Sequence, residues 1–410
     1  MNATSGSPSI REEAPQLGEQ ARGYCRHLAE SIGPRPAGSL AERAALDWLA
    51  HQARSLGFQV QWQEFEFAPQ PAYLPYYALA AAGFWLAAAL LPVFPYSSLL
   101  LPLLIAALPD LADRLHAWLP KRARSANLLV LPAQQALADM RLLLVAHVDS
   151  ARAIPNESQF IRSLRPQLFS VMQRMAWIMI LIAILDLTGL FAAAPLNEAA
   201  ITLAVLTGAA LLLFDLYDQL GARLAFVPGA GDNASGVASL LTVMQQTAGD
   251  PPPVAYLFSA AEETGMDGAR AFAHAHRGQP SFPDVVSVDM VGAGSHLRII
   301  EGTRSLRTLK TTARLNDLLE RADPLARRHT ALRRSGDFAP FLQAGLPATA
   351  IESNGTPAFW PSYHTRRDTL ALVDANMLDH CVHTLLNLVR ICAPHTSNPV
   401  PNSPPEQRQN

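Results

Sequence analysis

Residues 142–150 read LLLVAHVDS, an apolar run that ends abruptly in two polar side chains, His147 and Asp149. The run predicts a buried β-strand, and residues two positions apart on a strand face the same side. In an open α/β sheet, ligands bind just outside the carboxyl ends of the strands. The stretch therefore predicts a strand of such a sheet, with a site for chemistry where the strand ends.

The rest of the chain supplies further elements for this sheet. Two helices are predicted within residues 16–56, and strands are predicted at 58–67, 127–131 and 141–148. After residue 223, helices and strands alternate, which predicts a mostly parallel mixed sheet with helices on both faces. The expected strands there are 254–259, 285–289, 297–301 and 348–352, and the expected helices are 234–246, 263–275, 306–322 and 374–391.

Half of the 410 residues are hydrophobic and only 16% are charged, which favours a membrane protein over a purely soluble one. The chain contains two pairs of apolar segments, and the segments are long enough to cross a membrane as helices of about 20 residues each. The alternative is that both pairs are buried helical hairpins in a large soluble core. The predicted spans are 76–93 and a weaker one at 97–118, then 175–194 and 199–214 with a turn at 195–198.

The apolar pairs divide the chain into alternating segments. A single α/β domain is expected to be built from three of them, 1–67, 121–150 and 223–394. The first transmembrane hairpin occupies 68–120, and a linker with the second hairpin occupies 151–222. The tail at 395–410 is rich in proline and polar residues and is predicted to be disordered.

Charge and cysteine content restrict the compartment and the partners. With 32 Lys and Arg against 34 Asp and Glu, nothing suggests nucleic acid as a partner. Three cysteines are too few for a disulfide framework, and the N-terminus does not have the pattern of a secretory signal peptide.

The basic residues beside the apolar pairs predict the orientation in a cell or inner membrane. The far-side turns at 92–98 and 195–198 contain no Lys or Arg. By the positive-inside rule, the α/β domain is therefore expected to face the cytoplasm. The near-side basic residues are Lys121, Arg122, Arg124, Arg162, Arg165, Arg174 and Arg223.

Two other predicted strands end in carboxylates. The strand at 254–259 is followed by Glu262 and Glu263, and the strand at 285–289 ends in Asp289. Adjacent glutamates repel each other and are not needed for folding, so a cation or a catalytic role is favoured.

Two loops contribute further polar groups. Asp232 lies among glycines just before a helix, where a helix N-cap is the simpler explanation, and His364 lies in a loop before the last helix. Taken together, however, carboxylates and imidazoles that converge on one sheet edge suit a pair of zinc ions, which accept nitrogen and oxygen ligands.

At these motifs the chain resembles the zinc aminopeptidases of peptidase family M28. The resemblance extends to residues 33–39 (GPRPAGS) and 335–341 (SGDFAPF), so it covers nearly all of the chain except the hydrophobic insertions. The central motifs are residues 146–150 (AHVDS), 231–236 (GDNASG), Glu262-Glu263, Asp289 and 363–365 (YHT).

The resemblance implies a role for each polar group. Asp232 would bridge two metal ions, His147 and Asp289 would complete one metal site, and Glu263 and His364 would complete the other. Glu262 would be the general base that takes a proton from the water at the metals. Asp149, the second catalytic residue, would hydrogen-bond the other ring nitrogen of His147 and fix its orientation.

The implied activity is that of a membrane-anchored exopeptidase with two Zn²⁺ ions, which removes N-terminal residues from peptides with a free N-terminus. One alternative is a one-zinc acyl transferase like the glutaminyl cyclases, against which the complete ligand set with His147 argues. Another is a catalytically inactive membrane receptor or scaffold, against which the intact Glu262 argues. One departure is that the second hydrophobic pair separates His147 from Asp232, which predicts a site close to the bilayer surface.

Overall fold

A computed structural model describes residues 16–69, 76–90, 94, 119–153, 159–188, 193–222, 226–304, 308–332 and 336–393. The strands are β1 Gln59–Phe67, β2 Ala123–Leu131, β3 Leu142–His147, β4 Val254–Ser259, β5 Asp284–Val288, β6 Leu297–Arg304, β7 Thr308–Lys310, β8 Arg327–Leu332 and β9 Ala348–Ser353. The α-helices are α1 Gln16–Arg26, α2 Leu40–Ser55, α3 Tyr76–Leu90, α4 Gln159–Thr188, α5 Ala193–Ala222, α6 Ser235–Thr247, α7 Glu262–Gly265, α8 Asp267–Ala275, α9 Ala313–Ala322, α10 Phe338–Gln343 and α11 Ala375–Cys392.

The nine strands form one mixed sheet in the order β1-β2-β4-β3-β5-β9-β6-β7, and β8 pairs with β6. Its four central strands, β4, β3, β5 and β9, are parallel to one another. The expectation of a mostly parallel sheet is wrong toward the margins, where β1 pairs antiparallel with β2, β2 with β4, and β6 with both β7 and β9, although β6 and β8 are parallel. At the β6–β7 connection, the chain is too short for the crossover that parallel neighbours require.

Helices cover both faces of the sheet, as predicted. Along β3, Leu142 and Leu144 pack into a core with α1, α2, α6 and α11, whereas Leu143 and Val145 pack against α8 and α10. This alternation follows from the two-residue period of a strand. All three segments expected to build the α/β domain contribute strands to this one sheet.

Helices α3, α4 and α5 pack against one another through small side chains. Ala80 and Ala81 of α3 meet Ala200 and Ala204 of α5 in a cluster that also contains residues of α4. The indole Nε1 of Trp85 donates a hydrogen bond to the carbonyl oxygen of Val205, 3.2 Å away. The small residues let the helix backbones approach closely, as they do where helices pack within a membrane.

Within the described residues, one helical stretch is long and apolar enough to cross a membrane. It is Asn197–Tyr217, with 21 residues and a mean hydropathy of 2.1. The apolar parts of α3 and α4, Ala78–Leu90 and Arg174–Leu185, are shorter than a span, and the span expected at 97–118 lies outside the described residues.

Two other expectations about helix limits are wrong. The turn expected at 195–198 lies inside α5, which begins at Ala193. Pro195 is compatible with this position because the first turn of a helix needs no backbone N–H from it. The helix expected from residue 306 begins only at Ala313, since Thr308–Lys310 pairs with β6 instead.

Candidate metal centre

The predicted site residues meet at the carboxyl edge of the central parallel strands. His147 is the last residue of β3, and Asp289 directly follows β5. Glu262 and Glu263 are the first two residues of α7, which begins three residues beyond the end of β4. The loops before α6 and before α11 bring in Asp232 and His364.

One group of potential ligand atoms surrounds His147. Its Nε2 atom lies 3.2 Å from Oδ1 of Asp232 and 3.5 Å from Oδ1 of Asp289. The side chain of His147 is 2% exposed, so these atoms are shielded from bulk solvent. Three potential ligand atoms therefore face a common centre.

A second group surrounds His364 and shares one residue with the first. The Nε2 atom of His364 lies 3.2 Å from Oδ2 of Asp232 and 3.1 Å from Oε2 of Glu263. The two carboxylate oxygens of Asp232 thus face different histidines. This is the arrangement expected of a carboxylate that bridges two metal ions.

The donor set fits divalent cations in both spacing and chemistry. In each group, the ligand atoms lie within 4.8 Å of one another. Donor atoms placed about 2.0–2.1 Å from a tetrahedral zinc are about 3.3 Å apart, close to the separations of 3.1–3.5 Å observed here. Among the described residues, the buried atoms His147 Nε2, Glu263 Oε1 and Asp289 Oδ1 have no hydrogen-bond partner. Such groups are costly to bury unless a cation joins them.

The crowding of carboxylates shifts their proton affinities. Burial raises the pKa of Glu263 to about 7 although His364 opposes the shift. Burial also raises the pKa of Glu262 well above its usual value, with further contributions from neighbouring carboxylates. For Asp232, burial alone would raise the pKa, but the neighbouring imidazoles of His147 and His364 lower it below its usual range. Without a cation, protons must therefore offset part of this negative charge.

Asp149 makes different contacts from those predicted. The Nδ1 atom of His147 lies 3.2 Å from the main-chain oxygen of Asp149 and 3.6 Å from its carboxylate Oδ1. The carboxylate instead accepts hydrogen bonds from the main-chain N–H groups of Glu262 and Glu263, each at 3.0 Å. Asp149 lies two residues beyond the end of β3, and its carboxylate faces the N-terminus of α7, where free N–H groups attract negative charge. Asp149 therefore holds the turn that carries both glutamates.

Asp368 holds the loop that carries Asp232, a role that the sequence did not indicate. Its carboxylate accepts hydrogen bonds from the main-chain N–H groups of Gly231, at 2.6 Å, and Asp232, at 3.0 Å. Burial and the charge of Asp232 raise the pKa of Asp368 to about 7. The sequence feature that could have pointed to Asp368 is its position four residues after His364.

Asp337 is a further buried carboxylate beside the site that was given no role from the sequence. Its Oδ2 atom accepts a hydrogen bond from the hydroxyl of Ser259, whereas its buried Oδ1 has no partner among the described residues. Burial raises its pKa to about 6. Asp337 lies in the motif at residues 335–341, and this motif is the sequence feature that could have pointed to it.

The comparisons with known proteins agree with this geometry. The sequence model of peptidase family M28 matches residues 210–389, a range that contains Asp232, Glu262, Glu263, Asp289 and His364. None of the curated proteins compared with the chain matches it.

Solved structures with the same fold include aminopeptidases and glutaminyl cyclases. A leucine aminopeptidase precursor from Bacteroides thetaiotaomicron is 14% identical, with a TM-score of 0.54 over 91% of this chain and 96% of that one. The glutaminyl cyclase of Tannerella forsythia is 16% identical, with a TM-score of 0.55 over 91% and 97%. BSAP, a zinc aminopeptidase from Bacillus subtilis, is 14% identical, with a TM-score of 0.54 over 93% and 96%.

Proposed function

The chain belongs to peptidase family M28, and from this premise we propose that it is a two-zinc exopeptidase that removes N-terminal residues from peptides. The observation that carries the proposal is the position of Asp232, whose two oxygens face His147 and His364 in two separate ligand groups. Similarity in fold to a leucine aminopeptidase and to a zinc aminopeptidase supports the same reaction.

The proposed chemistry divides between the metal and the chain. When bound, two zinc ions polarise the scissile carbonyl and lower the pKa of the attacking water. His147 and Asp289 hold one ion, Glu263 and His364 hold the other, and Asp232 holds both. Because the ligands come from strand ends and short loops around a packed sheet, their positions are fixed before substrate arrives.

Glu262 is the proposed general base. It precedes Glu263 on the same turn, and neither ligand group includes it. It takes a proton from the attacking water as the new C–O bond forms, and it delivers that proton to the amine nitrogen as the C–N bond breaks. Its raised pKa, caused chiefly by burial, suits a carboxyl that must hold a proton between these steps.

A glutaminyl cyclase activity is the second candidate, because several cyclases share the fold. The cyclase-like alternative requires one zinc ion, for which the group around His364 would suffice. The group around His147 would then have no use, although His147 Nε2 and Asp289 Oδ1 are buried and find no hydrogen-bond partner within the described ranges. This second group favours the exopeptidase.

We also propose that the chain is anchored in a lipid bilayer through α5 and the helices packed on it. Large apolar side chains on these helices are exposed, including Trp177 at 63%, Leu206 at 63% and Leu213 at 68%. An apolar surface of this kind is stable in hydrocarbon and unfavourable in water. The basic residues near the helix ends that lead to the sheet support a cytoplasmic catalytic domain at a cell or inner membrane.

The substitution Glu262→Gln tests the proposal. We expect the purified wild type to bind about two zinc ions and to hydrolyse aminoacyl reporter peptides. The variant should keep its zinc and lose about 100- to 10,000-fold in turnover, because only the proton transfer is removed. Metal analysis and hydrolysis are measured on the same sample. The matched control is Glu320→Gln, a substitution of a glutamate exposed on α9, which should change neither value.

Each alternative gives a different result in this assay. A cyclase would convert a peptide with N-terminal glutamine into a ring-closed product with release of ammonia. An inactive scaffold would hydrolyse none of the peptides. Wild type without bound metal would contradict the enzyme assignment, and full activity of Glu262→Gln would contradict the role of Glu262.

A further inference from the structure

Arg35 is a completely buried arginine in the loop between α1 and α2, at 0% exposure. Its Nη1 group donates hydrogen bonds to the carbonyl oxygens of Leu28 and Gly33 at 2.8 and 2.9 Å, which anchor it in its own loop. A buried guanidinium is costly unless its donors are satisfied. The Nε, Nη1 and Nη2 groups also donate hydrogen bonds to two other parts of the chain.

The first part is the end of β3. The Nε group of Arg35 donates to the carbonyl oxygen of Val148, 2.8 Å away and one residue beyond His147. The main chains of Arg35 and Ser150 are also joined, since Ser150 N donates to Arg35 O at 2.9 Å and Arg35 N donates to the Ser150 hydroxyl at 2.9 Å. Arg35 thus fixes the segment on both sides of Asp149.

The second part is the segment that leads to Asp232. The Nη1 group of Arg35 donates to the carbonyl oxygen of Pro228 at 2.9 Å, and Nη2 donates to that of Gly229 at 3.0 Å. The hydroxyl of Ser150 donates to the carbonyl oxygen of Val227 at 2.9 Å, so the two segments also contact each other directly.

These two segments are the ends of the hydrophobic insertion. The chain leaves the sheet after β3, passes through α4 and α5, and returns at Phe226, which forms an isolated antiparallel bridge with Arg152. His147 lies before the insertion and Asp232 after it, so local chain connectivity does not fix their separation. A rigid planar fork that binds carbonyl oxygens on both sides can fix it.

We infer that Arg35 is a positioning residue for the metal centre, because its guanidinium holds the segments of His147 and Asp232 together across the base of the insertion. The inference rests on the proposed function. Asp232 belongs to both ligand groups, so loss of this link should weaken the binding of both zinc ions. Loss of a group that orients a metal ligand typically costs about 10- to 100-fold in metal affinity.

The test is the zinc affinity of the full-length Arg35→Lys variant, measured by competition with a chelating dye. Lysine keeps the positive charge but has fewer N–H donors and no planar fork, so it cannot replace all of these hydrogen bonds. We expect the zinc dissociation constants to rise about 10- to 100-fold. The control is Asn316→Ala, which removes buried hydrogen bonds to Thr311 and Thr349 at the opposite end of the sheet and should leave zinc affinity within about twofold of wild type.

If Arg35→Lys does not fold, a second variant, Gly229→Ala, tests the same inference. A Cβ atom at Gly229, where φ is +63°, would lie 2.6 Å from the main-chain oxygen of Asp232, 2.6 Å from the Cβ of Ser150 and 3.0 Å from Nη2 of Arg35. Gly229→Ala should therefore push apart the two segments that Arg35 joins and weaken zinc binding in the same direction. Wild-type affinity in a folded variant would overturn the inference about Arg35 while leaving the proposed function intact. A wild type that binds no zinc would overturn the proposed function and this inference with it.

Discussion

In most soluble proteins, polar groups lie at the surface and large apolar groups lie inside. The carboxyl edge of the sheet differs because it buries polar groups, and helices α3 to α5 differ because they expose apolar ones. At the sheet edge, His147 and Asp232 are at most 4% exposed, and several potential ligand atoms lie buried without a hydrogen-bond partner in the part of the chain that the structure describes. On α5, Leu206 and Leu213 are 63% and 68% exposed. In water, both arrangements are unfavourable.

We propose that each region has a partner from outside the chain, and that the two partners differ in kind. The sheet edge requires positive charge, because its groups are hydrogen-bond acceptors and carboxylates. The helices suit an apolar solvent, because several of their large apolar side chains are exposed. We propose zinc for the first region and lipid for the second.

The largest effect is expected where charge is introduced into the apolar surface. In a bilayer, the double substitution Leu206→Asp with Leu213→Asp should cost about 5 kcal/mol or more, since each buried charge costs about 2.5–3.5 kcal/mol at the centre of a span. Wild type should remain in the membrane pellet after carbonate extraction, and the double variant should shift toward the soluble fraction.

The control for this prediction is Leu325→Asp, because Leu325 is 71% exposed next to the sheet rather than on the helices. It should leave the distribution unchanged. A wild type that is released by carbonate would contradict the membrane proposal.

The next largest effect is expected when a shared ligand is removed from the sheet edge. Asp232→Asn should lower zinc affinity by more than about 100-fold and abolish hydrolysis, because both ligand groups lose the same carboxylate. Equilibrium dialysis with zinc measures the loss. The control Asp323→Asn changes a buried carboxylate that pairs with His380 away from the site, and it should leave zinc affinity unchanged. If Asp232→Asn still binds two ions, the bridging role is wrong.

The smallest effect is expected for the pair of His380 and Asp323, because both partners of this interaction belong to the chain itself. His380 Nε2 lies 2.8 Å from Asp323 Oδ2, and this hydrogen bond raises the pKa of His380. Burial would raise the pKa of Asp323, but the hydrogen bond and charge of His380 lower it. The pair therefore stabilises the fold most between about pH 4 and 6.5, and the contribution fades as pH rises through the raised pKa of His380.

His380→Gln should accordingly lower the free energy of unfolding by about 0.5–1 kcal/mol at pH 6 and by less at pH 9. Denaturant unfolding at both pH values measures the difference. The control is His383→Gln on the exposed side of the same helix, where the ring lies 3.5 Å from Asp379. Equal losses at pH 6 and pH 9 would contradict the prediction.

Much of the candidate site could be predicted because strand ends are visible in the sequence. The apolar runs that become β3, β4 and β5 end within one residue of the expected positions, and the polar groups that follow them meet at one edge. The edge strands were harder to predict. β8, at Arg327–Leu332, has no apolar run, and Thr308–Lys310 is a strand only because it pairs with β6.

By itself, the sequence determined the candidate site residues, because a buried strand that ends in a polar side chain is a local pattern. It also determined that apolar helices interrupt the α/β domain. Only the tertiary structure decided how these residues are held: Asp368 and Asp149 bind main-chain N–H groups of the ligand loops, and Arg35 joins two segments that are remote along the chain. Such contacts depend on three-dimensional packing between distant segments, so no local pattern in the sequence encodes them.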